Sequence, residues 1–160
     1  MKKLVCMILV GMLLAVFAGS ALADQKVKLP SSSYSVTIPD GMEYDGPGQR
    51  PDNAKFAWIS EQMGLEILFA CGKNNRGATL EAMATVLRSE NGMDAEIRRI
   101  AGIDMIVYQG TDPDDDPSTA MKFIAYVFLD GNMAQEICFW YANQSAADRT
   151  AEIIQSISKD

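Results

Sequence analysis

The apolar positions of this chain concentrate in residues 121–142, a stretch that predicts a central β-hairpin. Two runs rich in aromatic and β-branched residues flank Asp130-Gly131, and Asp-Gly between such runs is a strong hairpin signal. Outside the turn, only Lys122 and Glu136 are charged. Strands without regular polar alternation are usually covered on both faces, so we expect this hairpin to lie inside the domain.

The register of the hairpin stays open between two alternatives. A two-residue turn pairs Leu129 with Asn132, whereas a three-residue loop pairs Leu129 with Met133. One step of register moves every side chain of a strand to the other face. The first alternative places Cys138 on the face of the odd-numbered residues of the first strand, and the second places Phe139 there.

Shorter strands and a surface crossing are predicted before this hairpin. Stretches rich in apolar residues and bounded by turn residues predict strands at 25–29, 34–38, 55–60, 65–71, 96–100 and 103–109. The stretch 41–52 is rich in Gly, Pro and Asp, which indicates an irregular crossing over the surface.

Two helices are predicted between and after the strands. The first begins after Thr79 as N-cap and ends at Gly92, which suits the left-handed C-terminal position. The second carries a capping-box-like pair, Ser145 and Asp148, and an apolar face that runs to Ile157. Hairpin-connected strands with two interspersed helices predict an α+β domain in which the helices pack on an antiparallel sheet.

Residues 1–23 have the layout of a secretory signal peptide. A basic start and an apolar run precede small residues that end at Ala23. The run is short for a spanning helix, which needs roughly 20 residues. A lipoprotein needs a cysteine at the cleavage point, and Cys6 comes too early. We therefore expect an exported chain, periplasmic or secreted, with one α+β domain over 24–160 and no stable membrane insertion after cleavage.

The charge balance of residues 24–160 disfavours anionic partners. This part of the chain carries 12 basic and 21 acidic side chains, a net charge of −9. Nucleic acids and anionic membranes attract proteins largely through phosphate charge, so neither is an expected partner. The only adjacent basic pair there, Arg98-Arg99, points to opposite faces of a predicted strand.

Cys71 and Cys138 are the two cysteines that remain after the signal peptide is removed. An oxidising compartment allows a disulfide between them. Two buried free thiols that pack as small hydrophobic groups are the competing interpretation. Both cysteines lie at apolar strand positions, so the sequence leaves both alternatives open.

The absence of histidine excludes most common enzyme classes. Without it, the chain has no Ser-His-Asp or Cys-His catalysis and no usual zinc hydrolase site. It also lacks a nucleophile elbow, a phosphate loop and a dinucleotide-binding motif. We therefore expect no enzyme; a hydrolase acting through paired carboxylates stays as an alternative.

A short acidic loop is the best local signal for a cofactor. Asp112, Asp114 and Asp116 have the one-three-five spacing of calcium loops, but Pro117 and Phe123 replace the glycine and the bidentate glutamate that such loops need. The favoured interpretation is a solvated loop stiffened by prolines. A weak calcium site without EF-hand geometry is the alternative, and no other cofactor is expected.

Two further features have both a functional and a structural interpretation. Lys73 and Arg76 lie in a glycine-bounded loop and are candidates to receive an anion, but an ordinary strand-to-helix connection is favoured. Trp58, Trp140 and Tyr141 are candidates to line an apolar pocket, yet aromatic residues in strands usually form core.

The order of these elements resembles the PsbP-like α/β/α sandwich. The segments 38–42 (IPDGM) and 153–157 (IIQSI) and the aromatic strand before the closing helix carry the resemblance. It covers nearly all of 24–160 but brings no catalytic motif, and no residue role carries over. Members of that family are mostly non-catalytic, often exported, and often accessory or binding proteins.

The sequence thus favours an exported, non-catalytic binding or accessory protein of the cell envelope or extracellular space. Its partner would be an envelope protein or a small ligand, contacted through loops at the sheet edge, with 111–119 as the first candidate. The alternatives are a weak calcium-binding protein that uses the 112–116 loop and a histidine-free carboxylate-pair hydrolase.

Overall fold

A computed structural model describes residues 24–46, 54–111 and 121–160 of the chain. The predicted signal peptide and the Asp112–Asp116 loop lie outside these ranges, so both stay predictions. Within the described ranges, the strands are β1 (Gln25–Lys28), β2 (Tyr34–Ile38), β3 (Glu43–Gly46), β4 (Ala54–Ser60), β5 (Leu65–Lys73), β6 (Glu96–Ile100), β7 (Ile103–Thr111), β8 (Lys122–Asp130), β9 (Met133–Tyr141) and β10 (Ser158–Lys159). The helices are α1 (Leu80–Asn91) and α2 (Gln144–Gln155).

The strands form two antiparallel sheets. The large sheet has the order β3-β4-β5-β9-β8-β7-β6, and the small sheet has the order β1-β2-β10. The predicted hairpins β1–β2, β4–β5, β6–β7 and β8–β9 all form, and β8 and β9 lie near the middle of the large sheet. The prediction that the 121–142 hairpin lies inside the domain is confirmed.

The main core fills the space between the large sheet and a layer made of α2 and the small sheet. Ile137 and Phe139 of β9 point into it and are inaccessible to solvent, as is Ile38 of β2. Ile153 and Ile154 of α2 close it from the opposite side. This burial explains why α2 forms, because most helix stability in proteins comes from packing of an apolar face.

Helix α1 packs on the opposite face of the large sheet, over β6 and β7. Its Ala84 is fully buried and forms a second, smaller cluster with Ala95 and Ile106. Helices therefore lie on both sides of the large sheet, which confirms the predicted α+β class and its α/β/α layering. Within the described ranges, neither helix has the length and apolar character that crossing a bilayer requires.

Both predicted registers of the central hairpin are wrong. The strands pair Asp130 with Met133 and Leu129 with Ala134, so the two loop residues are Gly131 and Asn132. Gly131 adopts φ 61°, the left-handed conformation that the first loop position of a type II′ turn requires. The observed partner of Leu129 is two residues beyond the partner that the first alternative gave. A shift of two residues keeps each side chain on the same face, so the face that this alternative assigned to Cys138 is correct.

The sequence prediction also missed two short strands. Glu43–Gly46 forms β3 within the stretch predicted to be irregular, and Ser158–Lys159 forms β10 after α2. Both are short edge strands that pair with a single neighbour, β3 with β4 and β10 with β2. Strands of this length form through pairing with a neighbour, and local sequence carries little signal for them.

The helix ends are confirmed for α1 and corrected for α2. The Thr79 side chain accepts a hydrogen bond from Ala82 N, and Gly92 adopts φ 64° at the C-terminal position, as predicted. In α2 the N-cap is Asn143, whose side chain accepts from Ala146 N at 2.9 Å. The predicted capping pair Ser145 and Asp148 is wrong, because a suitable cap already follows β9 two residues earlier.

The turn of the central hairpin is tied to the β1–β2 turn through Asp130. Its carboxylate accepts hydrogen bonds from Ser33 N at 2.7 Å and Ser32 Oγ at 2.8 Å. These bonds, the backbone bond from Ser33 first, hold the pKa of the Asp130 carboxyl below its ordinary value. The contact joins residues 97 positions apart in the chain.

Replacing Asp130 by Ala removes this contact, and we expect the free energy of unfolding at neutral pH to fall by roughly 1–3 kcal/mol. The native carboxyl has a depressed pKa, so its contribution is present above the unfolded value of about 3.9 and is lost as pH falls through the native pKa. Urea unfolding across this pH range measures both effects.

Asp104→Ala is the matched control, since Asp104 forms only an exposed ion pair with Arg99. Equal losses for the two variants would contradict the role assigned to Asp130. The role would also be contradicted if the difference in free energy of unfolding between Asp130→Ala and the wild type were the same at low pH as at neutral pH.

Candidate functional site

An exposed aromatic side chain marks one edge of the large sheet. Tyr44 of β3 is 52% exposed, the highest value among the large hydrophobic side chains of the described residues. Its ring lies 5.5 Å from the ring of Trp58 and 6.0 Å from that of Phe56, centroid to centroid. We call this edge, formed by β3, β4 and the turn 61–64 that follows β4, the β3–β4 edge.

A shallow apolar depression of about 350 Å³, open to solvent, lies beside Tyr44. It is lined by Tyr44, Phe56 and Trp58 of the large sheet and by Val27 of the small sheet, and we call it the aromatic cavity. Trp58 is only 9% exposed, yet its Nε1 is buried without an acceptor among the described residues. A buried donor without an acceptor is unfavourable by about 1–3 kcal/mol, which makes this position unusual within the core.

A second cavity of about 450 Å³ lies along the outer side of β3. We call it the acidic cavity, because the carboxylates of Glu43, Asp45 and Glu61 line it together with Tyr44. Its other lining residues are Gly41, Ile59, Ser60 and Gln62, so the described lining includes no basic side chain. Tyr44 is thus shared between an apolar cavity and an acidic one.

A third depression of about 420 Å³ continues from the acidic cavity toward α2. The two share Gly41 and Gln62, and Arg149 of α2 is the basic residue in the lining of the third. Arg149 donates to Glu152 at 2.8 Å, so its charge is partly compensated. The acidic cavity therefore shares lining residues with each of the other two depressions.

The local sequence explains why β3 is short and why its side chains are accessible. Gly41, before the strand, and Gly46, at its end, have φ values of 82° and 67°, which disfavour any other residue. The pairing of β3 with β4 shifts between Tyr44 and Gly46, the signature of a β-bulge. The strand therefore stays a short edge whose Glu43, Tyr44 and Asp45 are exposed.

The aromatic residues predicted to line a pocket do not come together. Trp58 lies at the β3–β4 edge, whereas Trp140 lies on the other face of the sheet, with its ring 5.0 Å from that of Phe123. Tyr141 ends β9 and packs against the main core. Of the three, only Trp58 lines the aromatic cavity, and its neighbour Tyr44 was not predicted.

The glycine-bounded loop of Lys73 and Arg76 has a structural role. The Asn74 side chain bonds both the N–H and the carbonyl of Ala78, each at 2.8 Å, and so fixes the connection between β5 and α1. Lys73 and Arg76 are exposed. The arrangement supports the favoured interpretation of an ordinary strand-to-helix connection.

The predicted calcium ligands Asp112, Asp114 and Asp116 lie outside the described residues. Among the residues that the structure does describe, no group of three or more His, Cys, Asp or Glu side chains has a metal-binding arrangement. The calcium site therefore stays a prediction. The 111–119 loop, named above as the first candidate for partner contact, lies almost wholly outside the described part of the chain as well.

The structure does not bring Cys71 and Cys138 together. Cys71 pairs with Gln135 and Cys138 pairs with Leu68, so the two cysteines are three positions apart on neighbouring strands and point to opposite faces. Three positions correspond to about 10 Å, beyond the Cα separation of about 7 Å that a disulfide allows. In the structure each is a separate, half-buried thiol.

The sequence carried only one weak signal for the β3–β4 edge. Tyr44 is an aromatic residue between two acids in a stretch otherwise rich in Gly, Pro and Asp. Val27 and Trp58 are 31 positions apart in the chain and become neighbours only because the small sheet packs over the large one. The aromatic cavity therefore depends on tertiary packing and has no local signature in the sequence.

No protein-family model and no curated protein sequence matches this chain. Solved structures do match its fold. Cyanobacterial PsbP from Synechocystis superposes with a TM-score of 0.65 at 12% identity, over 89% of this chain and 96% of that one. The Ran-binding protein Mog1p of Saccharomyces cerevisiae superposes with a TM-score of 0.58 at 8% identity, over 87% and 96%.

A Bacteroides thetaiotaomicron protein also matches, with a TM-score of 0.64 and 15% identity. The match covers 86% of this chain but 48% of that protein, so the chain spans about half of its length. At these identities the likeness shows the fold alone. This chain has a PsbP/Mog1-like α+β sandwich fold, which confirms the resemblance drawn from the sequence.

The reactivity of Cys71 and Cys138 tests the strand register that holds these two thiols apart. Burial, and next the nearby Glu136 carboxylate, raise the pKa of the Cys138 thiol to about 12. Because the thiolate is the reactive form, we expect Cys138 to resist alkylation by iodoacetamide at pH 8 in the native protein and to react after unfolding.

Mass spectrometry of the alkylated protein measures this, with the unfolded protein as the control. If both thiols are free, two alkyl groups are expected on unreduced, unfolded protein that lacks residues 1–23 and therefore Cys6. A mass increase that appears only after reduction would instead demonstrate a disulfide and contradict the strand register.

Proposed function

We propose that this chain is an exported, non-catalytic binding protein that docks a partner protein on the β3–β4 edge. The observation that carries the proposal is Tyr44, a half-exposed ring shared between an apolar and an acidic cavity. Aromatic residues are enriched at protein interfaces, where a rigid ring supplies a large contact area at a low cost in conformational entropy.

The position of the edge supports this proposal. An edge strand exposes backbone N–H and C=O groups that a second chain can pair with. The other edge of the large sheet, β6, carries Arg98 and Arg99 in exposed ion pairs with Glu96 and Asp104. The β3–β4 edge instead combines exposed aromatic surface with cavities, as expected of a recognition surface.

The fold and the N-terminal sequence support the other parts of the proposal. Mog1p, which has the same fold, is a Ran-binding protein, so this fold serves protein binding in at least one other chain. The proposal of export rests on the signal-peptide pattern of residues 1–23. The proposal of a non-catalytic role rests on the lack of histidine and of catalytic motifs.

The carboxylate-pair hydrolase has one observation in its favour, since Glu43, Asp45 and Glu61 line the same cavity. In a carboxylate-pair hydrolase the two carboxyl groups flank the bond that is cleaved. All three of these side chains are exposed, and the cavity is open to solvent. The arrangement suits charge recognition better than proton transfer.

We therefore expect no turnover of chromogenic glycosides or esters by the purified protein above the buffer rate. The measurement is absorbance at pH 5 and pH 7, with Glu43→Gln as the matched variant. Turnover that the wild type shows and Glu43→Gln loses would overturn the non-catalytic assignment.

Partner binding is tested by comparing two edges of the same sheet. Tyr44→Ala removes the exposed ring at the β3–β4 edge, whereas Ile97→Ala removes an exposed apolar side chain, 36% accessible, from the opposite edge strand β6. We expect wild-type protein and Ile97→Ala to capture the same envelope protein from native extract. The amount captured by Tyr44→Ala should be lower by about tenfold or more.

Quantitative mass spectrometry of the captured proteins measures this difference. Circular dichroism and thermal unfolding of both variants control for folding, which we expect to be unchanged because both side chains are exposed. Capture that is equal for wild type and Tyr44→Ala would overturn the proposed docking edge.

A further inference from the structure

The chemistry of the β3–β4 edge narrows the kind of partner it fits, an inference that rests on the proposed docking function. The acidic cavity carries three carboxylates, those of Glu43, Asp45 and Glu61. Within residues 24–46, 54–111 and 121–160, none of the three takes part in an ion pair, whereas Glu152 and Asp160 do. Arg149, the basic residue in the lining of the adjoining depression, is already paired with Glu152.

The negative charge of this cavity is therefore not compensated within the described structure. Complementary charge on a partner steers its approach and selects it over partners of like charge. A second copy of this acidic chain is disfavoured at the edge for the same reason, because its own Glu43 and Asp45 would face like charges. Charge complementarity points to a basic partner surface.

The adjoining aromatic cavity suits an apolar group of the partner, in contrast to the acidic cavity, which suits a basic one. Its walls are the rings of Tyr44, Phe56 and Trp58 and the side chain of Val27. Such walls suit an apolar side chain, which loses contact with water when it enters.

The two cavities meet at consecutive residues of one strand. Neighbouring side chains of a strand point to opposite faces, so Glu43 and Tyr44 present charge on one face and a ring on the other. An extended segment that lies along β3 has the same alternation. Its basic side chains would face the carboxylates while the apolar side chains between them enter the aromatic cavity.

We infer that the β3–β4 edge binds an extended segment of a partner protein in which arginine or lysine alternates with apolar residues. Basic residues alone satisfy only the acidic cavity, and apolar residues alone satisfy only the aromatic one. Recognition of this segment requires both cavities, with Tyr44 contacting both parts.

Three synthetic capped hexapeptides test this inference by calorimetry on the purified protein: alternating Arg and Leu, alternating Arg and Ser, and alternating Glu and Leu. We expect the Arg-Leu peptide to bind about tenfold more tightly than the Arg-Ser peptide, and the Glu-Leu peptide to show no binding. Affinity for the Arg-Leu peptide should fall as sodium chloride is raised, because salt screens the charges.

Matched variants separate local recognition from the overall charge of the protein. Glu43→Gln with Asp45→Asn should weaken binding of the Arg-Leu peptide about tenfold and flatten its salt dependence. Glu81→Gln with Glu90→Gln makes the same charge change on α1, away from the edge, and should have little effect. Tyr44→Ala should weaken binding of the Arg-Leu peptide more than binding of the Arg-Ser peptide, because Tyr44 is one of only four described residues that line the aromatic cavity but one of eight that line the acidic cavity.

Equal weakening by the two double variants would overturn the inference, since binding would then follow net charge alone. Binding of the Glu-Leu peptide, or of none of the three peptides, would overturn it too. If no peptide binds but protein capture still depends on Tyr44, the edge docks a partner of other chemistry and the proposed function stands. If wild type and Tyr44→Ala capture equal amounts of the partner protein, the proposed function is overturned, irrespective of the peptide results.

Discussion

Burial of one face of the large sheet beneath α2 and the small sheet is the interaction on which the rest of this molecule depends. Ile137 and Phe139, at the centre of that face, are inaccessible to solvent, and Ile153 and Ile154 cover them from α2. Removing such side chains from water is the dominant favourable term in folding. The layer that covers this face comes from both ends of the described chain. Its first part supplies β1 and β2, and its last part supplies α2 and β10.

This construction makes polar contacts between distant residues important. Asp130 ties the turn of the central hairpin to Ser32 and Ser33, and Asp160 ties the chain end to Ser35, whose Oγ donates to it at 2.7 Å, and to Lys26. Each contact joins the small sheet to a segment about 100 or more positions away. Contacts of this kind orient the covering layer, while the apolar core supplies most of the stabilisation.

The β3–β4 edge is the place where this core ends. Trp58 still belongs to the main core and Phe56 packs against it, but Tyr44, the next ring outward, is half exposed because the covering layer extends only as far as Val27. An aromatic row that continues from the core into solvent is held rigid by its buried members. For the docking proposed at this edge, such packing would reduce the side-chain entropy lost when a partner contacts the exposed ring.

The sequence by itself determined the fold class, the positions of the hairpins and α1, and the absence of histidine chemistry. These features are local: an Asp-Gly turn between apolar runs, an N-cap at Thr79 and a left-handed glycine at Gly92 each act within a few residues. Only the tertiary structure decided the hairpin register, the short strands β3 and β10, and the opposite faces of Cys71 and Cys138. It also decided the meeting of Val27, Tyr44 and Trp58, since pairings and contacts between residues far apart in the chain depend on how whole layers pack.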